Sequence, residues 1–209
     1  MSEPTTAGRP TAEGAAQPRP PIRPPDPPLA TDALLLRPLV AADIEAVFEA
    51  CQDRQVVRWT TIPQPYLREH AIGFVADTID AWELGRDPTF AIVDRHSGRM
   101  VGCVGLRGES HGGHAMEIGY WMAPAGRGRG LMTEAVKLVS RWALDDLAVE
   151  RVGLLVYVGN DASARVAERA GYQREGLLRR YAMQRGVARD CVIFSLLRDD
   201  PAVDAAPSR

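Results

Sequence analysis

Apolar residues recur along this chain in two rhythms, and the switches between them predict the order of its elements. Ala33 to Arg37 reads as a short strand closed by Pro38, and Asp43 then precedes the helix-spaced run Ile44, Val47, Phe48 and Cys51. From Tyr66 to Leu84, the residues Leu67, Ala71, Phe74, Val75, Ile79 and Trp82 keep helical spacing, and Gly85 supplies a stop. Strand-like runs follow at Thr89 to Val93, Met100 to Leu106 and Ala115 to Met122, separated by turn-rich stretches, so an antiparallel meander is expected. Gly130 to Leu147 returns to the helical rhythm through Leu131, Ala135, Leu138 and Trp142. Val152 to Val158 is a β-rich run, and Ala162 to Ala170 is a short helix with Asn160 and Asp161 as capping candidates and Gly171 as its stop. Two last strands, near Leu177 to Met183 and Cys191 to Leu197, turn about Gly186. The order β-α-α-β-β-β-α-β-α-β-β predicts an α/β fold: a mixed, largely antiparallel sheet with flanking helices.

Composition sets the limits of that picture. Nine of the 16 prolines lie in residues 1–30 with few large apolar side chains, so these residues are expected to be a disordered Pro-rich tail. The folded domain is placed at 31–200, and 201–209 are expected to be a flexible C-terminal tail. No apolar run has the length of a signal core or a membrane span, and the three scattered cysteines suit neither a disulfide framework nor a metal site, so a cytoplasmic protein is expected, with no membrane partner. Lys137 is the single lysine among 25 basic residues, but 27 acidic residues offset them and no block of like charge marks a nucleic-acid surface. His111 and His114 flank a glycine pair without nearby cysteines or paired acids and read as exposed, so no metal is expected.

Candidate chemistry begins at Pro124-Ala125-Gly126-Arg127-Gly128-Arg129-Gly130, between a predicted strand and a predicted helix. Unpaired backbone N–H groups and the positive end of the helix dipole can hold an anion there, and arginines suit phosphate oxygens. The turn is not a P-loop, which requires Gly-Lys followed by Ser or Thr, nor the dinucleotide pattern, because Leu131 stands where each would need another residue. Downstream lie Asn160-Asp161-Ala162-Ser163-Ala164-Arg165, then Ala170-Gly171-Tyr172 and Glu175-Gly176. Together these motifs resemble those of the GCN5-related N-acetyltransferases (the GNAT superfamily, with its acyl-CoA N-acyltransferase fold), and within them the RimJ/RimL-like group. The resemblance runs from about residue 33 to 198.

That resemblance implies acetyl-CoA as cosubstrate and a primary amine as acceptor, with the α-amine of a protein N-terminus favoured. Two alternatives stay open: a small-molecule amine such as an antibiotic, polyamine or amino-acid derivative, and a non-catalytic CoA-binding regulatory module. A homodimer is admitted as the assembly. The implied cofactor contacts are Arg127, Gly128, Arg129, Gly130, Leu131 and Met132 at the phosphates, the backbone of Trp121, Met122 and Ala123 along the pantetheine arm, and Asn160, Ser163 and Arg165 beyond. Met132 departs from the small residue usual at its place. Glu117 shares a strand face with Gly119 and Trp121, which makes it the candidate general base. The tyrosine that many relatives use as acid is replaced here by Ala167, and the resemblance to the RimL-like group implies Ser163 as the candidate acid; an acidic residue that some relatives carry on the following strand is Ala182 here, which bears on the base. Tyr181, Trp59, Tyr66 and Trp82 are candidates either for an acceptor groove or for the core.

Overall fold

The computed structural model describes residues 20–110 and 114–200. Its strands are β1 (Leu34–Pro38), β2 (Thr89–Asp94), β3 (Arg99–Ser110), β4 (Ala115–Met122), β5 (Arg151–Tyr157), β6 (Gln173–Gln184) and β7 (Val187–Leu197). Its α-helices are α1 (Ile44–Ala50), α2 (Arg54–Trp59), α3 (Arg68–Glu83), α4 (Leu131–Asp145) and α5 (Asp161–Arg169). They form a 7-stranded sheet in the order β1-β2-β3-β4-β5-β7-β6. The expected meander of β2, β3 and β4 is antiparallel, whereas β4 and β5 run parallel, so the helix between them crosses one face of the sheet.

Helices cover both faces, and strand alternation sorts the core accordingly. On β2, Phe90 and Ile92 join the cluster built on α4 with Leu131, Val136 and Val139, while Ala91 between them joins Val47, Tyr66 and Val75 under α1 and α3. Phe90 is fully buried, its ring edge-on to Trp82 at 5.1 Å and to Trp142 at 5.4 Å. The Gly171-Tyr172 step anchors α5 to α4, because the buried Tyr172 hydroxyl meets Ser140 Oγ at 2.7 Å. Ser140→Ala leaves that hydroxyl without its partner and is expected to lower unfolding free energy by about 1–3 kcal/mol in a denaturant titration.

Two features depart from the sequence expectation. Helix α2 was not anticipated: it is short and buries only Val56, so it carries no apolar stripe to detect. Its signal is Asp53, whose carboxylate caps the N–H groups of Gln55 and Val56 at 3.0 and 3.1 Å. The expected tail of residues 1–30 also reaches too far. Within its described part Ile22 is only 5% exposed and donates its N–H to Gly85 O, and Leu29 O receives the N–H of Leu36. One apolar side chain found a niche beside the left-handed Gly85, where an added Cβ would fall 2.3 Å from Pro21, and the flanking prolines lower the ordering cost. Residues 1–19, the C-terminal tail 201–209 and His111 lie outside the described residues.

Candidate active site

The turn ahead of α4 forms a row of open amides. Gly128 and Gly130 sit at φ 74° and 79°, which carries the chain round while turning successive N–H groups the same way. Among the described residues, no hydrogen bond engages the N–H groups of Gly128, Arg129, Gly130, Leu131, Met132 or Thr133, whereas those of Gly126 and Arg127 are already held by Ala123 O and Pro124 O. A Cβ at Gly128 or Gly130 would meet nothing within 4 Å, so the row faces open space. This concave patch of donors at a helix N-terminus fits a diphosphate. Met132 contributes only its amide here, since its side chain is 8% exposed and packs into the core with Leu131.

The two arginines are each held by a carboxylate beside that space, although Arg127 also lines it. Arg129 makes a two-pronged pair with the buried carboxylate of Asp94, both bonds 2.9 Å, and this contact together with Ser97 holds the Asp94 carboxyl far below its ordinary value. Arg127 folds back onto Met122 O at 2.9 and 3.1 Å and onto Asp53. Carboxylates brought alongside by β2 and the α2 cap satisfy both guanidinium groups, so they brace the turn. The open amides are left as the anion donors.

Beside the turn the sheet opens. Pairing of β4 with β5 ends at Glu117↔Gly153, and beyond it β5 pairs only with β7. Ala123 N–H is bound to Val101 O at 2.8 Å, and alternation then turns the main chain of Trp121 toward β3 and that of Tyr120 and Met122 toward the gap. Of the expected strand contacts, Met122 therefore offers its N–H to the gap; Trp121 and Ala123 do not. Tyr120, absent from the expected set, does.

A cleft of about 870 Å³ runs from the open amides through this gap, and Glu117, Tyr120, Asn160, Ser163 and Arg165 line it. Partial burial raises the Glu117 carboxyl above its ordinary pKa, against an opposing pull from Arg107 across the strand pair. Asn160 is spent as the cap of α5, its side-chain oxygen receiving Ser163 N–H at 3.3 Å. That frees the Ser163 hydroxyl, which lies 2.9 Å from the Tyr120 hydroxyl. Burial pushes the Tyr120 phenol up to about 12, with Ser163 opposing, so it stays protonated at neutral pH. A tyrosine hydroxyl thus reaches Ser163 from β4, while position 167 holds alanine. Strand alternation places Tyr120 on the face opposite Glu117, but only the fold shows that this face meets α5.

The aromatic candidates separate. Trp82 belongs to the core, Tyr66 is buried yet lines the cleft, and Tyr181 is 59% exposed outside it. Trp59 lines the cleft with its ring 3.7 Å from where a Cβ on Gly159 would stand. A bridge roofs this end: Gln184 Nε2 donates to Arg58 O and Thr60 O at 2.9 and 3.1 Å, and Arg185 Nη2 donates to Val57 O at 2.7 Å. Cys51, Cys103 and Cys191 are free and buried, and among the described residues no cluster of His, Cys, Asp and Glu could hold a metal ion. No described helix is long and apolar enough to cross a membrane.

Comparison with known proteins places the chain in a family and a fold. A family model described as the acetyltransferase (GNAT) domain covers residues 33–173. The uncharacterized N-acetyltransferase YoaA of Bacillus subtilis (strain 168) is 28% identical over 170 residues, which span 81% of this chain and 96% of that protein. Among solved structures, RimL, described as a ribosomal L7/L12 alpha-N-protein acetyltransferase in complex with coenzyme A, superposes with a TM-score of 0.73 at 20% identity, covering 82% of this chain and 97% of that one. MccE, a microcin C7 self-immunity acetyltransferase in complex with acetyl-CoA and AMP, gives a TM-score of 0.73 at 19% identity, covering 80% and 93%. At these identities the two structures share the fold.

Proposed function

This chain belongs to the acetyltransferase (GNAT) domain family and is an N-acetyltransferase, and on that footing we propose that it moves acetyl from acetyl-CoA to the α-amine of a protein N-terminus. The observation that carries the donor assignment is the open amide row from Gly128 to Thr133 beside the gap after Glu117. A diphosphate on the row would leave a chain of pantetheine length to run along the edge of β4 as an added strand. Acetyl-CoA supplies the acetyl group as an activated thioester. Within the proposal Met122 N–H faces the carbonyl oxygen as it gains charge, Glu117 takes the proton of the attacking amine, and Ser163 with Tyr120 returns a proton to the leaving sulfur. Arg165 lines the cleft beyond, open to the cofactor's outer portion.

The acceptor reading is supported by the roofed end of the cleft. A passage bridged by Gln184 and Arg185 suits a chain end entering lengthwise better than a lysine on a folded surface. The likeness of fold to RimL agrees with it. Incubating the protein with acetyl-CoA, unblocked peptides and a panel of small amines is expected to place acetyl on the peptide α-amine, read by fragment mass spectrometry. Transfer confined to lysine side chains or to small amines would overturn this acceptor.

A further inference from the structure

Arg37, Arg127, Arg129 and Arg151 each lie against a carboxylate. The arginines nearest the acceptor end of the cleft have no such partner among the described residues. Residues 179–190, the tip of the β6–β7 hairpin, hold Arg179, Arg180, Arg185 and Arg189 against the single acid Asp190, in a chain of net charge -2; Arg179 and Arg180 border a separate hollow with Tyr181, whereas Arg189 pairs in register with the cleft-lining Ala182. Asp190 is itself engaged, accepting the N–H of Arg180 at 2.7 Å. Arg58 stands on α2 across the bridge, and Arg107 lines the cleft beside Glu117. Among the described residues none of these six arginines forms an ion pair. Two of them act on the cleft-lining Tyr157: burial and Cys191 raise its phenol, while Arg185 and Arg189 pull it down.

An acceptor lying here meets opposite signs at its two ends. Its amine faces Glu117, the cleft-lining carboxylate, and whatever follows the amine faces guanidinium groups that match carboxylates in planar, two-pronged pairs. Arg107, Arg185 and Arg189, without a carboxylate partner among the described residues near one opening, repel one another, and an anionic occupant relieves that repulsion.

We propose that this rim selects acceptors carrying carboxylates close to the reacting amine, as in a protein N-terminus followed by Asp or Glu. The proposal rests on the N-terminal acceptor reading and narrows it. The test compares kcat/KM for peptides opening Ser-Asp-Glu, Ser-Gln-Gln and Ser-Lys-Lys, with free aspartate as a small carboxylate-bearing amine, at low and high salt. The acidic peptide is expected to exceed the neutral one about tenfold and the basic one by more, the ratios shrinking as salt shortens the screening length below about 8 Å. Arg189→Gln is expected to bring the acidic-to-neutral ratio toward one.

Equal rates on all three peptides would overturn the charge selection while leaving the N-terminal acceptor intact. Rapid transfer to aspartate with none to any peptide would overturn the N-terminal acceptor and support carboxylate selection. A preference for the acidic peptide indifferent to salt and to Arg189→Gln would remove the rim as its source.

Discussion

Glu117→Gln is expected to lower turnover about 10²–10³-fold while leaving the affinity for acetyl-CoA unchanged, as befits loss of a positioned base rather than of a binding group. The wild-type rate is expected to rise with pH through a value above that of an ordinary carboxylate, because burial disfavours the charged form of Glu117. With glutamine the rise should move to the free α-amine, about pH 7.7–8.0. Stability moves the other way. A carboxyl whose pKa is raised by folding favours the fold only while protonated, so stability falls as pH rises through that raised value and stays lower at neutral pH. The glutamine variant removes that penalty and is expected to melt no lower than wild type. A pH–rate profile identical in both proteins would assign the proton to solvent.

Gly128→Val is expected to weaken acetyl-CoA about 10- to 100-fold in calorimetry. The reason is twofold: a β-branched residue is strained by about 1–2 kcal/mol at the φ of 74° found here, and its side chain would project from the open amide row into the space a diphosphate needs. Gly108→Val separates the two causes. Gly108 sits at φ 61° with nothing within 4 Å of its Cβ position, so it carries the strain without the cradle. Both variants should lose stability, and only the first should lose affinity. Equal affinity in both would move the diphosphate away from this turn.

Much of the architecture was legible from periodicity because the signals are local. The strand β4, the glycine turn and α4 follow one another directly, so the place of the cradle could be read from adjacent residues, as could the cap at Asn160 and the stop at Gly171. Helix α2 escaped because a helix burying one residue has no pattern, although Asp53 announced it. The partners of the turn's arginines were not legible for a related reason. A sequence lists charges without partners, and the carboxylates that hold Arg127 and Arg129 lie 74 and 35 residues away.

By itself, then, the sequence determined the order of elements, the glycines whose backbone must turn left-handed before α4, and the resemblance that led to acetyl transfer, since each is written in neighbouring residues. Only the tertiary structure decided which amides stay open, that Met122 and Tyr120 rather than Trp121 and Ala123 face the gap, and that Tyr120 meets Ser163 across 43 residues. It also decided where arginines are left unpaired. Those outcomes depend on strand register and on which distant side chains are packed together, and chain-local propensity carries no information about either.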